Sequence, residues 1–194
     1  MHSSYKEFMQ HGHGKCGPWF DLVNSQEWNT FGQLTEHFQN PAWLLFFLRR
    51  WGFARPKHER FPAAKWAAFR ASLRSICEAA AQQKPIARAD VQALNQVLKI
   101  SGTRQLREGQ NGLELEFVPS VSGWDEILAE TVWSFADVLT KGDVSRIKIC
   151  RNPQCRWVFY DQTKGKTRCW CDDKICGNRA RVRKARARNA DCSG

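Results

Sequence analysis

Cys150-Arg-Asn-Pro-Gln-Cys155 and Cys171-Asp-Asp-Lys-Ile-Cys176-Gly-Asn-Arg179 decide how this chain is read. Each stretch places four residues between two cysteines, and fifteen residues separate the pairs. Pro153 and Gly177 supply the turns that fold each pair back on itself. Two such half-sites can deliver four thiolates to one tetrahedral Zn2+ ion. An all-cysteine set leaves no position for water, so the metal is expected to be structural rather than catalytic. Two disulfides or scattered structural thiols are the alternatives, and nothing else in the chain points to an oxidising compartment. Cys169 stands two residues before Cys171, so in an extended segment both thiols share a face. Spacing alone does not choose between them.

The charge belongs to the same region. Of 30 Lys and Arg against 19 Asp and Glu in 194 residues, residues 141–194 hold 15 basic and 5 acidic side chains. The first 140 residues are nearly neutral, so the net +11 is concentrated around the cysteines. A field focused in this way suits a polyanionic partner. After Cys176 the chain runs Gly-Asn-Arg-Ala-Arg-Val-Arg-Lys-Ala-Arg-Ala-Arg188, and these good helix formers predict a helix over 178–189. At 100° per residue, Arg179, Arg183 and Arg186 fall on one side and Arg181, Lys184 and Arg188 on the other. Val182 and Ala185 form a stripe between them that is expected to dock on the cysteine knuckle. Arg179 is expected to be braced by Asp172 or Asp173. In the insert between the cysteine pairs, Trp157, Phe159 and Trp170 can cover the metal. Lys164, Lys166 and Arg168 lie in a basic loop suited to phosphates.

The front of the chain reads as mainly helical. Residues 1–18 are expected to be a flexible leader, in which His11, His13 and Cys16 make only a weak metal motif. Asn40 and Pro41 open a short buried helix that ends at Gly52. Trp66, Phe69, Leu73, Ile76 and Cys77 recur at helical spacing within a helix over 61–82. A further helix is predicted over 90–100. Residues 103–107 and 113–118 then read as a β-hairpin, with Leu113, Leu115 and Phe117 alternating against Glu114 and Glu116 in a half-buried pattern. A last front helix runs from Ser122 or Gly123 to Leu139, and Thr140 to Asp143 is the expected joint. Residues 20–140 are expected to carry an apolar core of their own. The polar start and the short apolar run Trp43–Leu48 predict neither a signal peptide nor a membrane span, with the cytoplasm as the default location.

Arg151 to Asp161, Arg168 to Cys171 and Cys176-Gly-Asn-Arg-Ala180 resemble the bacterial CGNR zinc-finger family, named for the tetrapeptide at 176–179. Phe20-Asp-Leu-Val-Asn-Ser25 is similar to the opening motif of the ABATE domain, which typically precedes that finger and is associated with stress-induced transcription regulation. The resemblance implies Cys150, Cys155, Cys171 and Cys176 as zinc ligands. The sequence departs from the family at Cys169, where arginine is usual. The expected fold is α+β: an ABATE-like domain over 19–141, mainly helical with a small hairpin, then a treble-clef-like or knuckle-type four-cysteine zinc module over 142–194 ending in a basic helix. The expected function is DNA-binding transcription regulation, with a front domain that senses a small-molecule ligand or mediates oligomerisation as a homodimer. An RNA-binding zinc protein is the alternative. An enzyme using Cys16, His37 or His58 is a remoter one, because nothing in the sequence pairs these residues.

Overall fold

The computed structural model describes residues 16–28, 33–99, 102–109, 112–119 and 121–191. Most of the expected leader, with His11 and His13, lies outside the described residues. The front of the fold is helical. Helix α1 (Pro18–Val23) is followed by a short antiparallel pair, β1 (Gln26–Trp28) and β2 (Leu34–Glu36), and a 3-10 turn at His37–Gln39. Three helices come next: α2 (Pro41–Trp51), α3 (Ala63–Ala81) and α4 (Arg88–Leu98). The hairpin β3 (Gly102–Gly109) and β4 (Gly112–Pro119) leads into α5 (Trp124–Lys141). A second small hairpin, β5 (Ile147–Ile149) and β6 (Val158–Tyr160), then carries the first cysteine pair in its turn. Helix α6 (Asn178–Asp191) closes the chain.

Local chemistry explains several boundaries. Asn40 Oδ1 accepts the Ala42 amide at 3.0 Å, with Pro41 in the first turn of α2. Gly52 ends that helix at φ 74°, a conformation that costs a glycine nothing. The predicted stripe of α3 is buried as read, from Trp66 through Cys77. It meets an aromatic core in which Trp19, Trp43 and Trp66 are fully buried. The rings pack edge to face: Phe61 lies 4.8 Å from Trp124 at 73°, and Trp66 lies 5.9 Å from Trp124 at 90°.

Two polar groups are locked inside that core. Arg70 of α3 is buried, donates to both carboxylate oxygens of Glu36 at 2.8 and 2.6 Å and to Ser25 Oγ at 2.9 Å, and lies over Phe38. Its pairing holds the Glu36 carboxyl below the usual range against the opposing effect of burial. Asp21 of α1 is fully buried between Trp51 Nε1 at 2.7 Å and Arg50 at 3.3 Å. Burial outweighs Arg50 and the Trp51 hydrogen bond and pushes its pKa up to about 6.

The cysteine-bearing hairpin is fastened to the front helices. Strand β5 packs on α3, and Ile147, Trp157 and Val158 belong to the same buried cluster as Trp19 and Leu73. Asn24 pairs with β6 through its side chain: Oδ1 accepts the Val158 amide at 2.9 Å, and Nδ2 donates to the Val158 carbonyl at 3.1 Å. Arg74 of α3 donates to the Arg156 carbonyl at 2.6 Å, and the Arg156 guanidinium lies over Trp28, 3.6 Å from Glu78. The expected joint at 140–143 is thus followed at once by chain that is built into the front core.

The hairpin β3–β4 departs from its expected half-buried pattern. Leu106, Leu113 and Leu115 are 65 %, 71 % and 64 % exposed. Period-two alternation does put them on one face, but no second layer among the described residues lies against it.

Candidate metal centre and basic helix

The first half-site is a turn between two paired strands. Cys150 follows β5, and its amide donates to the Trp157 carbonyl at 2.8 Å, just before β6. The amides of Cys155 and Arg156 both donate to the Asn152 carbonyl, at 2.9 and 3.1 Å, which curls the intervening residues tightly. Arg156 takes φ 54° where the turn rejoins the strand. The second half-site is a wide helical turn over Asp173–Gly177 that runs directly into α6. Asp172 caps it by accepting the Ile175 amide at 2.9 Å. A β-carbon at Gly177 would meet Asp173 Oδ1 and come within 3.1 Å of Trp170, so a larger residue there displaces the exposed Asp173 carboxylate and presses on the indole.

These two turns bring the sulfurs of Cys150, Cys155, Cys171 and Cys176 within 4.8 Å of one another. Cys155 and Cys171 are 3.6 Å apart, and Cys171 and Cys176 are 3.7 Å apart. Zinc–sulfur bonds of about 2.3 Å in a tetrahedron place sulfurs about 3.8 Å apart, so the cluster has the dimensions of a zinc site. Disulfide sulfurs would be about 2.05 Å apart. Cys169 is not in the cluster, since its thiol turns away to the Thr167 carbonyl at 3.4 Å. Hydrogen bonds from the other three thiols, and from Asn152, hold the Cys176 thiol well below the usual range and favour its thiolate.

Two buried side chains support the site, Asn152 at the cluster and Asp161 in the adjoining loop, and the sequence assigned neither a role of its own. Asn152 Nδ2 donates to Cys176 Sγ at 3.4 Å, while its Oδ1 accepts from Arg183 of α6 at 2.8 Å. Asp161 accepts from the Thr163 amide and hydroxyl, from Lys148 at 2.9 Å and from the Arg168 amide at 2.9 Å. Burial alone would raise its pKa, but these donors hold it well below the usual carboxylate range. The signal for both was a polar residue inside a tight turn, which also describes many solvated loops.

The structure sorts the predicted nucleic-acid residues. Arg168 is turned inward, donating to the carbonyls of Trp170 and Cys171 and lying over Phe159. Lys166 bonds Asp143 at 2.6 Å and Ser145 at 3.1 Å, and the hydrogen bonds that Lys166 and the Ser145 hydroxyl donate to Asp143 lower its pKa to about 2. Arg183 holds Asn152, and Arg181 pairs with Asp173 at 3.2 Å. The brace expected for Arg179 therefore serves Arg181, two residues further along the helix. Lys164, Arg179, Lys184, Arg186 and Arg188 are exposed, with no side-chain partner among the described residues. The expected docking of Val182 is not seen, since it is 41 % exposed. Helix α6 is held through its first turns and the Arg181 and Arg183 contacts, and the rest of it projects.

Cys16, His37 and His58 stand apart from one another. Cys16 lies near Asp21 and Arg50, with burial pushing its thiol up to about 11. His37 is 3.3 Å from Glu27 and stacks on Trp43, and His58 occupies an exposed position at φ 63°. No helix among the described residues is long and apolar enough to cross a membrane.

Comparison with known proteins agrees with the arrangement of the two parts. Residues 146–189 match the CGNR zinc finger. Residues 17–142 match ABATE, described as "putative stress-induced transcription regulator". No curated protein matches the chain. With about two thirds of its length matched by ABATE and a four-cysteine zinc site following in the expected order, the chain belongs to the ABATE family of CGNR zinc-finger proteins.

Proposed function

We propose that Cys150, Cys155, Cys171 and Cys176 hold one structural Zn2+, and that the site aims α6 at DNA as part of a transcription regulator. The observation that carries this reading is the set of cations on the projecting helix that have no partner among the described residues: Arg179, Lys184, Arg186 and Arg188. Cations used only for folding would be paired, as Arg168, Arg181 and Arg183 are. Free cations on a helix fixed at one end suit phosphates on either side of a groove. Lys164 extends the same chemistry from the loop. Arg181 and Arg183 set the direction of the helix.

The front domain senses a ligand or joins two copies. A cleft of about 920 Å³ supports sensing. Leu44, Leu48, Phe61 and Trp124 line it together with Arg55, Lys57 and Arg60 against one carboxylate, Glu59, a lining with cations in excess that suits an apolar acid. Because the zinc module shares the front core, closure around a ligand would be felt at α6.

The test is a titration of duplex DNA at several salt concentrations. Neutralising Arg179, Lys184, Arg186 and Arg188 together should leave zinc content unchanged and lower the salt slope by about one per lost phosphate contact. Unchanged binding with zinc in place overturns the assignment of this helix. Preference for structured RNA over duplex DNA would replace the DNA reading with the RNA one.

A further inference from the structure

The hairpin β3–β4 has a face that the rest of the described fold does not use. The register sets Leu106 opposite Leu115 and Glu108 opposite Leu113, and Arg104 lies two residues before Leu106, so these five residues share one side of the ribbon. At the base of that side, the Arg104 guanidinium lies 4.1 Å over Trp133 of α5 and 3.6 Å from Glu130. Further out, Leu106, Leu113 and Leu115 keep about two thirds of their surface in solvent. Trp133, under the Arg104 guanidinium, is itself 44 % exposed. No other strand among the described residues pairs with either long edge of the hairpin. An isolated two-stranded ribbon with an apolar face is marginal in water and is an open template for pairing.

We infer that this arm is the contact through which two copies of the chain form a two-fold dimer, each arm laying its leucine face on the partner's arm and on the exposed Trp133 of the partner's α5. The inference deepens the joining role proposed for the front domain and does not depend on nucleic-acid binding.

Charge identifies a second copy as the occupant. A two-fold contact sets a patch against itself, so a patch of one sign repels its twin. The chain as a whole carries +11, yet the arm holds Arg104 and Arg107 against Glu108, Glu114 and Glu116. Arg107 already lies 3.5 Å from Glu114 and 3.6 Å from Glu116 on the ribbon's other side. The arm is thus nearly neutral in a basic protein. Nucleic acid would be repelled by its three glutamates, whereas an identical arm meets balanced charge and matching apolar surface.

Size points the same way. An eight-residue ribbon is about 26 Å long, and one face of it falls short of the roughly 800 Å² that each partner contributes to a standard interface. A reciprocal contact doubles the use of each surface, because each copy presents an arm and also receives one against Trp133.

The experiment is sedimentation equilibrium of the zinc-loaded full chain without nucleic acid, for the wild type, for Leu106→Glu/Leu115→Glu, and for a chain lacking residues 1–15. The wild type should sediment at twice the 22.4 kDa chain mass. The double variant should be monomeric or bind itself at least about 100-fold more weakly, with an unchanged helical signal showing that it is folded. Leu113→Lys, nearer the tip of the arm, should weaken association without touching the base. A wild type that stays monomeric overturns both this contact and the joining role. A dimer indifferent to all three leucines overturns this contact alone. A monomer that dimerises only when residues 1–15 are removed also overturns it, by showing that the face belongs to the chain's own amino-terminal segment.

Discussion

The two ends of this molecule hold their shape by different means. Around α3 the interior is a continuous stack of aromatic rings, and its few buried charges are closed off in pairs such as Arg70 with Glu36. Around the four cysteines apolar side chains are fewer. There the order rests on Asn152, Asp161 and a converging set of thiols. An apolar core loses stability gradually as contacts are removed, whereas a polar turn held by one metal loses its geometry when the metal leaves. Yet the two ends share Asn24, Arg74 and the buried face of β5, so neither is sealed off from the other.

The largest effect should come from the metal. Removing zinc with a chelator, or substituting Cys176→Ser, should unfold the second turn and α6 (residues 171–191), since binding at such sites contributes about 10 kcal/mol or more to folding. The aromatic core, with β5 and β6 still seated on α3, should survive but melt several degrees lower, because the first turn loses the metal that fastens it. Thermal unfolding followed by circular dichroism and tryptophan emission reads both parts. An unchanged melting temperature for the remaining helices would show that the two ends are independent.

Asp21 gives the next effect and belongs to the front end alone. Its folded pKa of about 6 lies above its ordinary value. The stability it contributes is therefore complete below about pH 4 and is lost as pH rises through about 6, amounting to about 3 kcal/mol. Asp21→Asn cannot ionise, so its stability relative to the wild type should climb between about pH 4 and 6 and then level off. Parallel denaturation profiles across that window would remove the carboxyl from this role.

The smallest effect sharpens the boundary. Asn24→Ala leaves the amide and carbonyl of Val158 without their partner and should cost about 1–3 kcal/mol. If the junction is as tight as its hydrogen bonds indicate, the variant should also release zinc to a competing chelator faster. A stability loss with unchanged zinc release would confine Asn24 to the front end.

Much of this was legible in the sequence where one residue type admits one use. Paired cysteines at fixed spacing predict the two turns, and the recurrence of Trp66, Phe69, Leu73 and Ile76 predicts the buried face of α3. The Asn40-Pro41 start and Gly52 end of α2 were equally direct. Legibility failed where the outcome depends on what stands opposite. Alternation assigns Leu106, Leu113 and Leu115 to a face but says nothing of whether that face is covered. Arginines at helical spacing look alike, and only the fold separates Arg183, which holds Asn152, from Arg186, which holds nothing among the described residues. Arg70 sits within an apolar stripe, and its burial depends on Glu36 arriving from a strand 34 residues away.

The docking of β5 on α3 also bears on the order in which the molecule is assembled. Synthesis from the amino end completes Trp19, Trp66 and Phe135 before Cys150 emerges, and domains generally fold as units during elongation. The finished helices then offer α3 and Asn24 as a template on which β5, the Asn152 turn and β6 can settle while Cys171 and Cys176 are still unmade. The first two thiols are thus presented already spaced, and a metal captured by them waits only for the second turn to close over it. Part of the entropy of forming the site is met by the folding of the domain that precedes it.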